Sequence, residues 1–180
     1  MAALLEAAAQ VLEKKGLEGF NTNAVARRAG VSIGSLYQYF PGKDALVLAL
    51  IHREGERFLA EAAMALEQPN GVDALSALIA ACVRQQLLRP TLAHLLDVEE
   101  GKPGIREAAG GAAELRTFLG EILARDDLPR QPEPDIAASD LLAMVRGMTD
   151  AAGERGEADV ENLQRRIEAA VFGYLGYMAG

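Results

Sequence analysis

An all-α fold of about nine helices is predicted by three features of this 180-residue chain. Ala, Leu, Glu and Arg dominate, apolar residues recur at three- and four-residue intervals, and no window carries the β-branched alternation of a strand. From Ala3 to Gly16 strong helix formers run without a break, lysines fill the last turn, and Gly16 stands where a left-handed cap belongs. Val25, Ala26 and Ala29, a Gly30-Val31-Ser32 break, and then Ile33, Leu36 and Phe40 fit two helices of about two turns each. Asn21 or Thr22 can cap the first of them and Ser32 the second, and Pro41-Gly42 is a stop. Leu46, Ala49, Leu50, Arg53, Phe58, Ala62 and Leu66 then sustain a helical period from Lys43 to about Gln68, ended by Pro69-Asn70-Gly71.

Further helices are expected over 72–89, 90–100 and 112–125, with a turn at Gly101-Lys102-Pro103-Gly104. Pro129, Pro132 and Pro134 make 126–134 the one linker-like stretch. Two last helices, 135–152 and 157–178, are joined by Gly153-Glu154-Arg155-Gly156.

Composition bounds the function. Half of the residues are hydrophobic and 24% are charged, a globular balance that excludes disorder as the dominant state. One cysteine, Cys82, excludes a disulfide framework and a Cys-rich zinc module. The apolar stretches at 45–51 and 72–83 are short or interrupted, and the start, Met-Ala-Ala-Leu-Leu-Glu, has neither the basic n-region nor the apolar run of a signal peptide. A cytoplasmic protein without a membrane partner is expected. The formal charge of −8 is uneven: residues 1–45 hold five basic and four acidic groups, and the remaining 13 basic residues face 22 acidic ones. Such asymmetry suits a polyanion-facing end and a solvating body.

No nucleophile elbow, Walker loop or His-Glu-x-x-His pattern is present. His52, His94 and Cys82 stand at no metal-ligand spacing, and the acid pairs Glu99-Glu100 and Asp126-Asp127 read as surface. Neither an enzyme, a cofactor nor a metal is expected.

Residues 21–40 have the form of a helix-turn-helix. Ala26 falls where two helices cross closely, Gly30 accepts the positive φ of the turn, and Val25, Val31 and Leu36 fill a small core. The Tyr37-Gln38-Tyr39-Phe40 run offers polar and aromatic groups on a rigid mount, which suits a major groove. Helix pairs with a glycine turn are common in all-α proteins, so the turn alone does not decide. The longer string does: Ala-Gly-Val-Ser at 29–32, Gly-Ser-Leu-Tyr-Gln-Tyr-Phe at 34–40 and Lys-Asp-Ala-Leu at 43–46 resemble the DNA-binding region of TetR-family transcriptional repressors.

That resemblance implies a three-helix DNA-binding domain, here 1–45, and a helical ligand-binding and dimerisation domain, here 46–180. It implies a homodimer that releases a double-stranded DNA operator when a small molecule binds. Carried over by position, Ser32 caps the recognition helix, Ile33, Ser35, Tyr37 and Gln38 face the groove, and Gly34 permits close backbone approach. Gln38 could read adenine and Ile33 could pack on a thymine methyl. Thr22, Asn23, Tyr39 and Lys43 resemble the family's phosphate-positioning residues. Two departures stand out: only Met-Ala-Ala precedes Leu4-Leu5 where the family has a basic arm, and Ile33 occupies a position commonly basic or small and polar.

In the larger half, Ile136, Leu141, Leu142, Val145 and Met148 form one apolar stripe, and Val160, Leu163, Ile167, Val171, Tyr174, Leu175 and Met178 another. By pattern such a stripe is a core face or an interface. The resemblance implies a four-helix interface between two copies, with Leu141, Val145, Met148, Leu163, Ile167, Val171 and Tyr174 in it and small residues such as Ala169, Ala170, Gly173 and Gly176 allowing close approach. Met64, Cys82, His94, Phe118 and Arg146 are the unusual side chains available to a ligand pocket, whose effector is expected to be apolar or aromatic. The competing reading is a helical small-molecule-binding dimer with weak or vestigial DNA binding.

Overall fold

The computed structural model describes residues 1–102, 105 and 111–178, so Pro103 and Gly104 of the expected turn lie outside the described residues, as does the side chain of Met178. Among the described residues there are nine α-helices and no strand. They are α1 (Ala2–Gly19), α2 (Thr22–Ala29), α3 (Ile33–Tyr37), α4 (Lys43–Ala63), α5 (Gly71–Leu87), α6 (Pro90–Glu100), α7 (Ala112–Leu123), α8 (Pro134–Glu154) and α9 (Val160–Met178). The all-α class and its helical segments agree with the reading of the sequence. Helix ends shift by a few residues, and two of the differences have a local cause. Gly16 takes φ +63 and ψ −176 and interrupts α1, but the chain resumes a helical turn and reaches Gly19. The long helix ends at Ala63 and continues as a 3-10 turn, Met64–Glu67, because Gln68 precedes a proline and must be extended, here at φ −66 and ψ 147.

The chain forms two compact units, each discontinuous in sequence. The first comprises Met1–Gly55 with Thr91–Gly110, and the second Glu56–Pro90 with Gly111–Gly180. In the first unit, Leu5, Ala8 and Leu12 of α1, Val25 and Ala26 of α2, Leu36 of α3 and Leu46, Val47 and Leu50 of α4 close around Phe20 and Phe40. Leu92 and Leu96 of α6 enter the same core. Each such Leu or Phe contributes roughly 1.5 to 3 kcal/mol relative to exposure, so this small unit depends on a few well-buried side chains.

In the second unit, α5, α7, α8 and α9 supply the core: Leu75, Leu78 and Ile79, then Leu119 and Ile122, then Leu141, then Leu163, Ile167 and Val171. The linker after α7 does structural work. The Asp127 carboxylate accepts the Gly71 N–H at 2.8 Å on both oxygens and the Val72 N–H at 3.1 Å, occupying the start of α5, where free amides and the helix dipole favour an anion. Arg125 donates to the carbonyls of Leu66, Gln68 and Asn70 at 2.5, 2.7 and 3.0 Å. A Cβ at Gly71 would meet the Leu128 Cγ at 2.7 Å, so this clasp closes only over glycine. Asn70 completes the start of α5, its Oδ1 accepting the Asp73 N–H at 2.8 Å. Among the described residues no single helix is long and apolar enough to cross a membrane.

Removing either half of the clasp should loosen the second unit. Arg125→Ala is expected to cost roughly 1 to 3 kcal/mol in urea unfolding, because three carbonyls lose a charged donor. Asp127→Asn should lower the melting temperature at neutral pH. The Gly71 amide above all, with Val72 and Arg125, holds the Asp127 carboxyl below its ordinary value. Its contribution is therefore complete above about pH 4 and is lost as the pH falls through the native value, where the curves of Asp127→Asn and the unaltered protein should converge. A gap that persists undiminished into acid would show that the carboxylate charge is not what closes the clasp.

Candidate nucleic-acid interface and effector cavity

The helix pair is built outward from its turn. Asn21 is the cap of α2, its Oδ1 accepting the Ala24 N–H at 2.9 Å, and Ser32 is the cap of α3, its Oγ accepting the Ser35 N–H at 3.0 Å. Between them Gly30 adopts φ +69 and ψ 28, a left-handed conformation that costs glycine nothing. Its N–H then donates to Arg27 O at 3.3 Å and the Val31 N–H to Ala26 O at 3.1 Å. Ala26 is buried at the crossing, as its size requires. Val31 departs from expectation: the core of this unit is closed by Phe20, Leu36 and Phe40, and Val31, next to the reversal, stays 36% exposed at its edge.

On and after α3 only Leu36 and Phe40 turn inward. Ser32, Ile33, Gly34, Ser35, Tyr37, Gln38 and Tyr39 are all exposed, as is Asn23 on α2. This gathers the expected groove-facing residues on one short, anchored helix. Thr22 differs from them: it is buried, with its hydroxyl 3.3 Å from the Tyr37 hydroxyl, a bond that ties the start of α2 to the end of α3. Lys43 is half-buried; its Nζ donates to the Leu17 carbonyl at 2.8 Å and lies 6.0 Å from the centre of the Phe20 ring. Both partners are neutral, so the ammonium keeps its charge while its stem is held in place.

The residues named for an interface between copies differ in burial. Leu141, Val145, Leu163, Ile167 and Val171 are buried in the core of the second unit itself, and Met148 and Tyr174 pack against that core while half-buried. Five of the seven are thus covered within their own protomer, while Met148 and Tyr174 keep part of their surface open. Small residues stand among the outward ones of α8 and α9, Ala143 and Gly147 on one and Ala169, Gly173 and Gly176 on the other, beside charged ones such as Asp140, Arg146, Arg165 and Arg166. Space is open over Gly147, Gly173 and Gly176. Tyr174 joins the two helices at this surface, its hydroxyl donating to Asp140 Oδ2 at 2.8 Å, and that carboxylate raises its pKa above the usual tyrosine value.

The residues suggested for a ligand pocket are dispersed. Met64 is 60% exposed, Arg146 is exposed beside Asp150, His94 is exposed on α6 in the first unit, and Phe118 flanks the second core. Cys82 lines an apolar void of about 20 Å³ shared with Leu75, Leu78, Ile79, Leu119, Leu141, Leu142, Val145 and Val171. Burial pushes its thiol up to about 12, so it lines the void as a neutral, weakly polar wall. Sequence reasoning missed the other eight because they are ordinary aliphatics, identical in pattern to any core residue. A more open and more polar cleft of about 140 Å³ lies between Gln131–Glu133, Ile136, Ala137 and Tyr174.

Comparison with known proteins places this geometry. Residues 4–50 match the family model described as bacterial regulatory proteins, tetR family, and residues 72–175, more than half of the chain, match the tetracyclin repressor-like C-terminal domain. The HTH-type transcriptional repressor KstR of Mycolicibacterium smegmatis is 43% identical over 54 residues, 30% of this chain and 26% of KstR. The HTH-type transcriptional regulator UidR of Escherichia coli is 31% identical over 70 residues, 39% of this chain and 36% of UidR. The aligned segments thus span about a quarter to a third of these relatives. Among solved structures, the fatty acid degradation regulator FadR of Bacillus halodurans superposes with a TM-score of 0.81 at 17% identity, covering 96% of this chain and 97% of that one. FadR of Bacillus subtilis, solved with stearoyl-CoA, gives 0.80 at 15% identity, covering 95% and 97%. At such identities the likeness is one of fold.

Proposed function

This chain belongs to the tetR family of bacterial regulatory proteins, and from that membership we propose that it is a ligand-responsive DNA-binding repressor, released from its operator by a small molecule. The observation that carries the reading is the exposed face of α3, capped by Ser32 and anchored by Leu36 and Phe40. Ile33, Ser35, Tyr37 and Gln38 are its base-facing set, with Gly34 allowing the backbone close to the groove. Asn23, Tyr39 and Lys43 position it on the phosphates, and Thr22 supports Tyr37 from beneath. The protein acts in the cytoplasm, on a double-stranded DNA operator.

It acts as a homodimer, because two recognition helices must meet successive major grooves about 34 to 36 Å apart. The outward small residues of α8 and α9 suit the close helix approach of a four-helix interface. The effector is apolar or aromatic. The void at Cys82 exposes no polar atom to a ligand's charge, so a carboxylate or ammonium placed there would be buried without a partner. Since the void is about the size of one water, the effector enters by pushing its aliphatic walls apart, and that displacement is the source of the switch. FadR of Bacillus subtilis, with its bound acyl-CoA, supports small-molecule control in this fold.

A binding selection from random duplex DNA should yield a preferred operator. Against it, Gln38→Ala is expected to relax preference at one position of each half-site and cost roughly 1 to 3 kcal/mol, whereas Lys43→Ala should weaken all sequences alike. Identical profiles for the two variants would undo the division into readers and positioners. Gly173→Glu, whose Cβ would meet nothing within 4 Å in its own protomer, should convert a dimeric mass into a monomeric one. A dimer that survives it places the interface elsewhere. Finally, an apolar or aromatic compound that raises the melting temperature should also dissociate the operator complex, by about a hundredfold if it favours the wrong half-site spacing by about 2.7 kcal/mol. Compounds that stabilise the protein and leave DNA affinity untouched would speak for a sequestering dimer instead.

A further inference from the structure

Resting on the DNA-binding reading, we propose that Arg28 is a phosphate contact and that Gln10 is the residue that positions it. Arg28 is exposed on the last turn of α2, four residues before Ser32, the cap from which α3 starts. Its Nε donates to the Gln10 Oε1 at 2.9 Å, and its Nη2 donates to the same oxygen. The Gln10 amide is itself oriented, its Nε2 donating to Glu6 Oε1 at 3.1 Å. Glu6 Oε2 in turn accepts from Arg53 Nη1 at 3.3 Å, and Arg53 Nε donates to Glu54 at 2.8 Å. The carboxylates in this chain of bonds therefore sit on Arg53, and the group facing Arg28 is a neutral amide.

The choice of an amide is the informative point. If the contact served only to hold α2 against α1, a carboxylate at position 10 would hold it more strongly. An amide oxygen fixes the guanidinium and leaves its charge whole. Two of the five guanidinium N–H groups are engaged by Gln10, and three remain for an anion. The side chain has also given up its rotamer freedom before any ligand arrives, which lowers the cost of binding one. In a helix-turn-helix the first helix crosses the nucleic-acid backbone and the second enters the groove by its N-terminal end. A cation at the end of α2, next to the start of α3, lies where the phosphates flanking that groove pass. Lys43, held by the Leu17 carbonyl and the Phe20 ring, follows the same rule of neutral partners.

The test is binding to a random-sequence duplex of about 30 base pairs across a salt series, where the slope of log affinity against log salt counts phosphate contacts. Arg28→Gln should make the slope shallower by about 0.9 per protomer and weaken all sequences alike. Gln10→Glu keeps the contact between α1 and α2 but neutralises Arg28; the slope should again become shallower while the melting temperature holds or rises, a combination that a purely structural role does not give. Gln10→Leu leaves the charge and frees the side chain, so affinity should fall with the slope preserved. An unchanged slope in both Arg28→Gln and Gln10→Glu overturns the phosphate contact, and unaltered affinity in Gln10→Leu overturns the positioning role. Should the unaltered protein fail to bind the duplex at low salt, the DNA-binding reading fails and takes this proposal with it.

Discussion

A five-residue helix has no stability of its own, since helix nucleation in water is unfavourable and one turn cannot repay it. The outward surface of the first unit nevertheless rests on such a helix, α3. It exists because Leu36 and Phe40 are locked into a core closed by Phe20 and α1, because Ser32 caps it, and because Gly30 reverses the chain without strain. With those few constraints met, every other residue from 32 to 39 is free to be polar or aromatic and to face outward. This division of labour lets the exposed face vary without endangering its mount.

Electrostatics in the first unit follow a related division. Arg53 is matched with carboxylates, Glu6 and Glu54, whereas Arg28 and Lys43 are held by an amide and a carbonyl. Uncharged acceptors can hold a cation's position while leaving its field intact, so a unit with nearly balanced charge can still attract a polyanion. The chain's excess of acid lies after residue 45. Net charge alone would have argued against a nucleic-acid partner, and the placement of the charges argues for one.

The second unit draws its core from the aliphatic stripes of four helices. Most of the α8 and α9 stripes is buried within the protomer, against α5 and α7, and small residues stand among the outward ones. Small residues contribute little to a core but permit close approach of another helix, so one pair of helices can serve a private core on one side and a shared surface on the other. The apolar void beside Cys82 is a by-product of packing four helices of aliphatics, and its walls are hydrocarbon with a single neutral thiol.

Much of this was legible in the amino-acid sequence. Periodicity, caps and breakers located the helical segments, and the Ala26, Gly30 and Ser32 spacing with the Tyr37-Gln38-Tyr39-Phe40 run marked the helix-turn-helix. These are local properties: a cap, a turn and a helical face are set by residues within a few positions of one another. What tertiary structure decided is everything that depends on partners far along the chain. It returned α6 to the first unit, left Val31 at an edge, set Asp127 on the start of α5, joined Arg28 to Gln10, and turned the stripes of α8 and α9 inward so that their small residues face out. A helical stripe carries the same signal whether its own protomer or a second copy covers it, because hydrophobic burial is non-directional and records only that water is excluded.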